Sequence, residues 1–254
     1  MKNAKVRTCS IITMTLLTAS SYLQPIRADL RNAISAKLDV VYVSKYVWRG
    51  IPQTNKGAVQ PSLTLSHPSG LSYNFWASRD VDSGKFTEHD HTLNYSWNTG
   101  KVGVNGGLVY YAFPNTPFVN TAEVYAVACF QGPLSHSVSI NYDINEAHGL
   151  YVSLTGGYAC SLPWRKAAPA NLNLSARLSF SSANYNRFWF GKDKTALSDL
   201  FLSASVPISV GNATSLTPSL GYYTVIDSDL RDALEGSGLK ANNLVGCLTI
   251  SCAF

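Results

Sequence analysis

Asn243-Leu244-Val245-Gly246-Cys247-Leu248-Thr249-Ile250-Ser251-Cys252-Ala253-Phe254 is the stretch that decides the fold. Leu244, Leu248, Ile250, Cys252 and Phe254 share one parity, with Gly246 between them. Asn243, Cys247, Thr249 and Ser251 occupy the other, with Val245 and Ala253 as apolar exceptions. Successive side chains of a strand point to opposite faces, so the segment has one apolar and one polar wall. Helical spacing of three and four does not fit it.

Upstream segments repeat the pattern. Leu172, Leu174, Ala176, Leu178 and Phe180 alternate with Asn171, Asn173, Ser175, Arg177 and Ser179. Leu134, Val138, Ile140, Tyr142 and Ile144 alternate with Ser135, Ser137, Ser139, Asn141 and Asp143. The alternation predicts about twelve antiparallel strands, over 37–49, 58–67, 71–80, 91–98, 101–112, 121–131, 134–144, 149–160, 170–181, 199–209, 214–226 and 241–254. The intervening connections sort into two sets. Pro68-Ser69-Gly70, Asn98-Thr99-Gly100, Gly132-Pro133 and 210–213 are short and turn-like. Those at 50–57, 81–90, 113–120, 182–198 and 227–240 are longer and polar. Two depart from the rule: 145–148 is short for its set and 161–169 is long.

Such alternation fits an outward-apolar transmembrane barrel or an inward-apolar soluble sandwich equally well. Composition and length separate the two. Charged residues make up 14% of the chain, against ~25% in ordinary soluble domains. Aromatics reach 11%, and pairs such as Tyr46/Trp48, Tyr95/Trp97, Tyr110/Tyr111 and Tyr222/Tyr223 fall near strand ends, where interfacial girdles belong. The segments match the ~9–11 residues a tilted strand needs to cross a bilayer. No stretch after residue 28 is apolar for the ~20 residues of a membrane helix. The chain also ends on Phe254, on the outward parity. That resembles the assembly signal of bacterial outer-membrane barrels, and it selects the barrel: an all-β, antiparallel up-and-down transmembrane architecture.

Residues 1–28 read as a cleaved signal peptide. Lys2, Lys5 and Arg7 precede an apolar core at Ile11–Leu17, and small residues such as Ala28 offer a cleavage site. A cut near Ser21 is the competing reading. The barrel then occupies 29–254 and sits in the outer membrane, with lipid and the barrel assembly machinery as partners. The segment contributes four basic residues and no acidic one. Of 20 basic and 15 acidic residues, 16 and 15 remain, so the basicity is a targeting feature and implies no nucleic-acid partner.

The N-terminal third carries a more specific pattern: Tyr46-Val47-Trp48-Arg49-Gly50-Ile51-Pro52-Gln53-Thr54, then Val59-Gln60-Pro61, His67-Pro68-Ser69-Gly70-Leu71 and Trp76-Ala77-Ser78. Over about residues 40–80 this resembles the TorF-type porin family. The resemblance implies an outer-membrane channel without catalytic residues. Four cysteines after residue 28 depart from such proteins.

Candidate site residues follow from parity. Asp39, Lys45, Arg49, Asp80, Glu123, Asp143 and Arg177 all fall on the polar wall, where charge is costly beside lipid but useful in a wet lumen. Arg49 is expected at the end of the first strand, near the external mouth, with Tyr46 and Trp48 in the outer girdle. With Lys45 beneath it, it should attract anions, and Asp80 should partly neutralise it. Opposite charges pairing across a plugged interior is the competing reading. Barrels of eight strands are filled by side chains and those of 16–18 enclose a channel, so twelve imply a narrow bore for ions or small hydrophilic solutes.

Other chemistry is weaker. Glu88-His89-Asp90-His91 closes an outer loop, and His89 and His91 could share a metal, although a solvated loop explains them as well. His67-x-Ser69 has the spacing of a barrel hydrolase but sits at a turn, and no third group completes it. Cys129 and Cys247 face the lumen, Cys160 and Cys252 lipid, with no pair on neighbouring strands. No enzyme activity and no cofactor are expected. The alternative function is a non-conducting surface barrel that binds through its loops, especially Asn184, Tyr185, Arg187, Trp189, Lys192 and Lys194.

Overall fold

The computed structural model describes residues 34–100, 102–130, 134–162 and 170–254. The expected signal peptide, the Gly132-Pro133 turn and most of the 161–169 connection lie outside the described residues. Twelve long strands form the wall: β1 (Ser35–Val43), β2 (Ala58–Ser66), β3 (Leu71–Asp80), β4 (Phe86–Asn98), β5 (Val102–Ala112), β6 (Thr121–Phe130), β7 (Ser135–Asp143), β8 (Leu150–Leu162), β9 (Ala170–Ser181), β10 (Ala196–Ser205), β11 (Thr214–Val225) and β12 (Asn242–Ala253). Each pairs antiparallel with its successor, and β12 returns to β1 from Lys37↔Ala253 to Val43↔Cys247. The sheet is closed. Closure leaves no unpaired strand edge for lipid to meet, which a spanning sheet requires.

Burial follows the parity of the sequence. In β12, Leu244 is 65% exposed and Ile250 47%, whereas Val245 and Thr249 are 0% and 1%. The buried face of the wall includes Asn94, Asn105, Glu123, Asp143 and Asp199, while Leu38, Val40, Leu93, Leu154 and Leu174 look outward. A soluble sandwich has the opposite polarity. Outward aromatics mark both rims: Tyr42, Tyr110, Tyr142 and Tyr222 towards the long connections, and Tyr95, Trp97 and Tyr158 towards the short turns. The backbone of Phe254 exchanges two hydrogen bonds with Ala36, at 2.8 and 3.1 Å, closing the seam.

Several expectations need correction. β1 stops at Val43, not 49, because the chain leaves the ladder after Ser44 and folds into the lumen. There Val47–Trp48 pairs with Ile51–Pro52 as a small hairpin. Period two persists through this segment, so alternation could not reveal the break. β4 begins at Phe86, five residues before the expected 91, which moves Glu88 to Asp90 from a loop into the wall. β10 starts at Ala196 and ends at Ser205. Ile208–Ser209 resume the pairing beyond Pro207, which has no N–H to donate. The long connections after β9 and β11 hold helices, α1 (Ala183–Phe190) and α2 (Ser228–Gly236).

The outer half of the lumen has an apolar core of its own. Tyr46, Val47, Trp48 and Ile51 of the hairpin pack with Tyr185 of α1, Leu230 and Leu234 of α2, and Val225 and Val245 of the wall. Tyr46 and Trp48 are therefore inside the barrel rather than in its outer girdle, and Tyr111 and Tyr223 also face inward.

Candidate functional site

The hairpin is built for its place. Its two turn residues, Arg49 and Gly50, have φ of +47° and +84°. Two positive φ values in succession suit the tight turn whose twist matches the flanking strands. A Cβ on Gly50 would lie 3.1 Å from Val225 Cγ2 and 3.2 Å from Asp199 Cβ, so the tip rests against the ends of β11 and β10. The base is closed by Gln53 N–H donating to Tyr46 O at 2.8 Å and Tyr46 N–H donating to Thr54 Oγ1 at 2.9 Å.

From this tip Arg49 reaches the wall. Its Nη1 and Nη2 donate to Glu123 Oε1 and Oε2 at 2.8 and 2.7 Å, a bidentate pair, and Nη1 also donates to Tyr185 Oη at 3.0 Å. The guanidinium lies 4.1 Å from the Tyr151 ring centroid and 4.7 Å from that of Trp48. Tyr111 Oη donates to Glu123 Oε2 at 3.0 Å. Both ionic side chains are almost fully buried. Arg49 is thus no free charge at the mouth, and its partner is Glu123, not Asp80. Asp80 instead caps the β3–β4 turn, accepting from the backbone N–H of Asp82 and Ser83.

The other inward charges divide by what holds them. Arg177 Nη2 pairs with Asp199 Oδ1 at 3.1 Å, and Tyr151 Oη donates to Asp199 Oδ2 at 2.7 Å. Asp143 accepts three backbone N–H groups of 145–147 and the Thr121 hydroxyl, so it organises the loop after β7. Asp39 pairs with Lys37 and accepts from Ser251. Lys45 Nζ donates to Asn243 Oδ1 at 3.1 Å, inside the lumen.

Three acidic residues escaped the parity reading. Asp199 keeps the inward parity of Phe201, Ser203 and Ser205, at the edge of a register shift opposite β9, so carrying that count to the start of the strand would have found it. Glu88 and Asp90 line the inner face of β4 beside Trp76 and Ser78, their ladder partners being Ser78 for Glu88 and Trp76 for Asp90. Their two-residue spacing in an Ile-free, His-rich run reads as a loop; extending the period of Thr92 and Asn94 backwards would have found them. His89 and His91 consequently point outward, with Tyr73 Oη 2.7 Å from His91 Nδ1 and Phe75 packed on both rings. Among the described residues no three His, Cys, Asp or Glu side chains are grouped to hold a metal. His67 Nδ1 lies 2.8 Å from Ser69 Oγ on an exposed turn, and the hydrogen bonds of the described residues give His67 no carboxylate to orient it.

The two helices close the mouth. Ser182 caps α1, and Gly149 meets it so closely that a Cβ would lie 2.4 Å from Tyr185 N. Lys194 Nζ joins the connections through Asp229 at 2.6 Å and Asp227 at 2.9 Å. Tyr185 is buried and Trp189 half-buried against Trp48, so two aromatics of the expected binding loop face the interior. A separate open apolar groove of about 1010 Å³ lies on the lipid-facing wall, where Gly156, Ala176 and Ala204 leave space between leucines; it is remote from the polar lumen.

Residues 29–162 match the model of a bacterial family described as of unknown function, Gcw_chp. The chain belongs to this family. The matched span includes Arg49, Glu88, Asp90 and Glu123 but not Arg177 or Asp199. No curated protein sequence matches the chain. Among solved structures, the KdgM porin superposes with TM-score 0.54 at 8% identity, covering 86% of this chain and 99% of that one. The KdgM porin in complex with disordered oligogalacturonate gives 0.52 at 8%, covering 87% and 99%. At such identity the likeness is one of fold: the closed twelve-stranded barrel of porin-like proteins. The TorF name is not carried by these matches.

Proposed function

We propose that the protein is an outer-membrane channel of narrow bore for passive diffusion of ions or small hydrophilic solutes, closed at rest by its inward-folded hairpin. The observation that carries this reading is the lumen itself: charged and amide side chains on the inner wall, beneath a hairpin seated by an apolar core and the Arg49–Glu123 ion pair. A barrel that served only as a rigid scaffold for surface loops would gain nothing from keeping Glu88, Asp90 and Lys45 without ionic partners inside. Because Glu123 cancels Arg49, the lumen presents Glu88 and Asp90, whose joint ionisation calls for a compensating cation, against Lys45, which favours cations over the anions expected from Arg49 alone.

Planar-bilayer recording of refolded protein tests the proposal. Rare, brief openings are expected from the wild type, with reversal potentials in a salt gradient displaced towards the cation side. A barrel that stays silent even when residues 45–56 are replaced by a short Gly/Ser turn supports the non-conducting surface protein instead.

A further inference from the structure

Beneath the hairpin, the inner faces of β2, β3 and β4 carry Gln60, Ser78 and the pair Glu88 and Asp90 as neighbours across the ladder. Glu88 and Asp90 are two residues apart on one strand face, opposite Ser78 and Trp76 in the ladder, and the Tyr46 ring packs on Trp76 with centroids 5.6 Å apart. Gln60 is fully buried. Its Nε2 approaches Ser78 Oγ at 3.5 Å, directly opposite Glu88 in the ladder, and its Oε1 has no partner. Asp90 Oδ1 is likewise buried and unpartnered, as is Trp76 Nε1 beside it. The ion pairs of the described residues include neither Glu88 nor Asp90, and Arg49 is committed to Glu123.

Two carboxylates in one dry site cannot both be ionised unless something compensates them. A shared proton is one solution; a cation is the other, and only the cation also engages the unpartnered acceptors. We propose that Glu88 and Asp90, with the Gln60 and Tyr46 oxygens, form a binding site for a hard divalent cation of the Ca²⁺ class. All four ligands are oxygens, the choice of hard ions rather than of thiolate- or imidazole-seeking metals. With both carboxylates bidentate the site offers six oxygens, the low end of the ~6–8 that Ca²⁺ takes in irregular geometry, whereas Mg²⁺ demands a regular octahedron and sheds water reluctantly. Asp90 is only half-buried, so the site communicates with the lumen. Trp76 Nε1 is placed to donate to a water of the ion's shell.

Calorimetric titration of the refolded, detergent-held mature barrel with CaCl2 at neutral pH reads binding without any current, so a silent channel and an empty site are distinguishable results. One saturable Ca²⁺ per chain is expected, with half-saturation about 10⁻⁴–10⁻³ M as in exposed extracellular modules, accompanied by a change in tryptophan emission. Asp90→Asn should weaken binding by about one to two orders of magnitude, and Gln60→Glu, which adds a third carboxylate, should tighten it by a similar factor. Glu146→Gln, on an outer loop, should leave it unchanged. Should Asp90→Asn fail to fold, the Gln60→Glu gain still decides. Absence of saturable Ca²⁺ binding, or binding indifferent to both substitutions, would overturn the proposal and leave the pair neutralised by a proton.

Discussion

Glu123→Gln removes half of the ion pair that seats the hairpin and leaves the strand ladder untouched. Arg49 donates at 2.7 and 2.8 Å to the two carboxylate oxygens, and both partners are buried. A glutamine keeps one acceptor but turns an N–H2 towards the guanidinium. Stranding a buried charge in this way costs about 3–5 kcal/mol. Set against it is the burial of Tyr46, Val47, Trp48 and Ile51, each contributing on the order of 1.5–3 kcal/mol. The seated hairpin therefore remains favoured, but the open-to-closed ratio should rise by about a hundred- to several-thousandfold, at ~1.4 kcal/mol per factor of ten. The assay is single-channel recording beside heat-modifiable gel migration. Open probability should increase steeply while the folded band persists, because the wall keeps all its hydrogen bonds. The double variant Arg49→Met/Glu123→Leu, which exchanges the pair for apolar side chains, should return towards the wild-type closed state. Unchanged gating in Glu123→Gln, or equal opening in the double variant, would refute the ion pair as the latch.

Four further outcomes follow from the same geometry. Gly149→Ala places a Cβ 2.4 Å from Tyr185 N, so α1 must shift, and proteolysis within 183–195 should accelerate although the barrel stays folded. Gly50→Ala forces a left-handed alanine, costing about 1–2 kcal/mol, and should raise open probability less than Glu123→Gln does. Burial works against ionised Asp227, but Lys194 and the N–H groups of Leu230 and Asp229 outweigh it and hold its carboxyl below the ordinary range. A depressed folded value stabilises above the unfolded ~3.9 and is lost as pH falls through the folded one. Protection factors of the α2 amides, corrected for the intrinsic pH dependence of exchange, should thus be flat near neutrality and fall only in stronger acid. Deleting Phe254, whose backbone closes the seam on Ala36, should slow insertion into vesicles, and unaltered insertion kinetics would count against its role as an assembly signal.

The wall was legible because a transmembrane strand obeys a two-sided rule along its whole length. Every residue of β9 or β12 meets either lipid or lumen, so each side chain testifies to its face. Legibility failed where that rule does not apply. Residues 44–57 keep alternating after they leave the wall, since a hairpin inside a barrel also has two faces, both of which are buried here. Val47 and Trp48 are apolar for the sake of a core that does not exist in an empty pore. The α1 segment lacks a clean helical stripe because its Tyr185, Asn186 and Trp189 are selected for packing on the hairpin and for hydrogen bonds, not for amphipathic contrast.

The same distinction explains why the inward charges were identified more readily than their partners. Parity places Arg49 and Glu123 on the lumen side, yet they are separated by 74 residues, and only the turn at Arg49-Gly50 brings one to the other. Asp80 and Arg49 look like neighbours because both end strands near the same rim. A strand-end aspartate has a nearer claim, the N–H groups of its own turn, and Asp80 and Asp143 both yield to it. Once those local demands are met, Glu123 takes Arg49, Asp199 takes Arg177 and Asp39 takes Lys37, while Glu88 and Asp90 have no cationic side chain among the ion pairs of the described residues. A lumen whose other carboxylates are paired or capped has its remaining electrostatic demand concentrated at this one adjacent pair, and in the channel proposed above an entering cation would meet it beneath the hairpin.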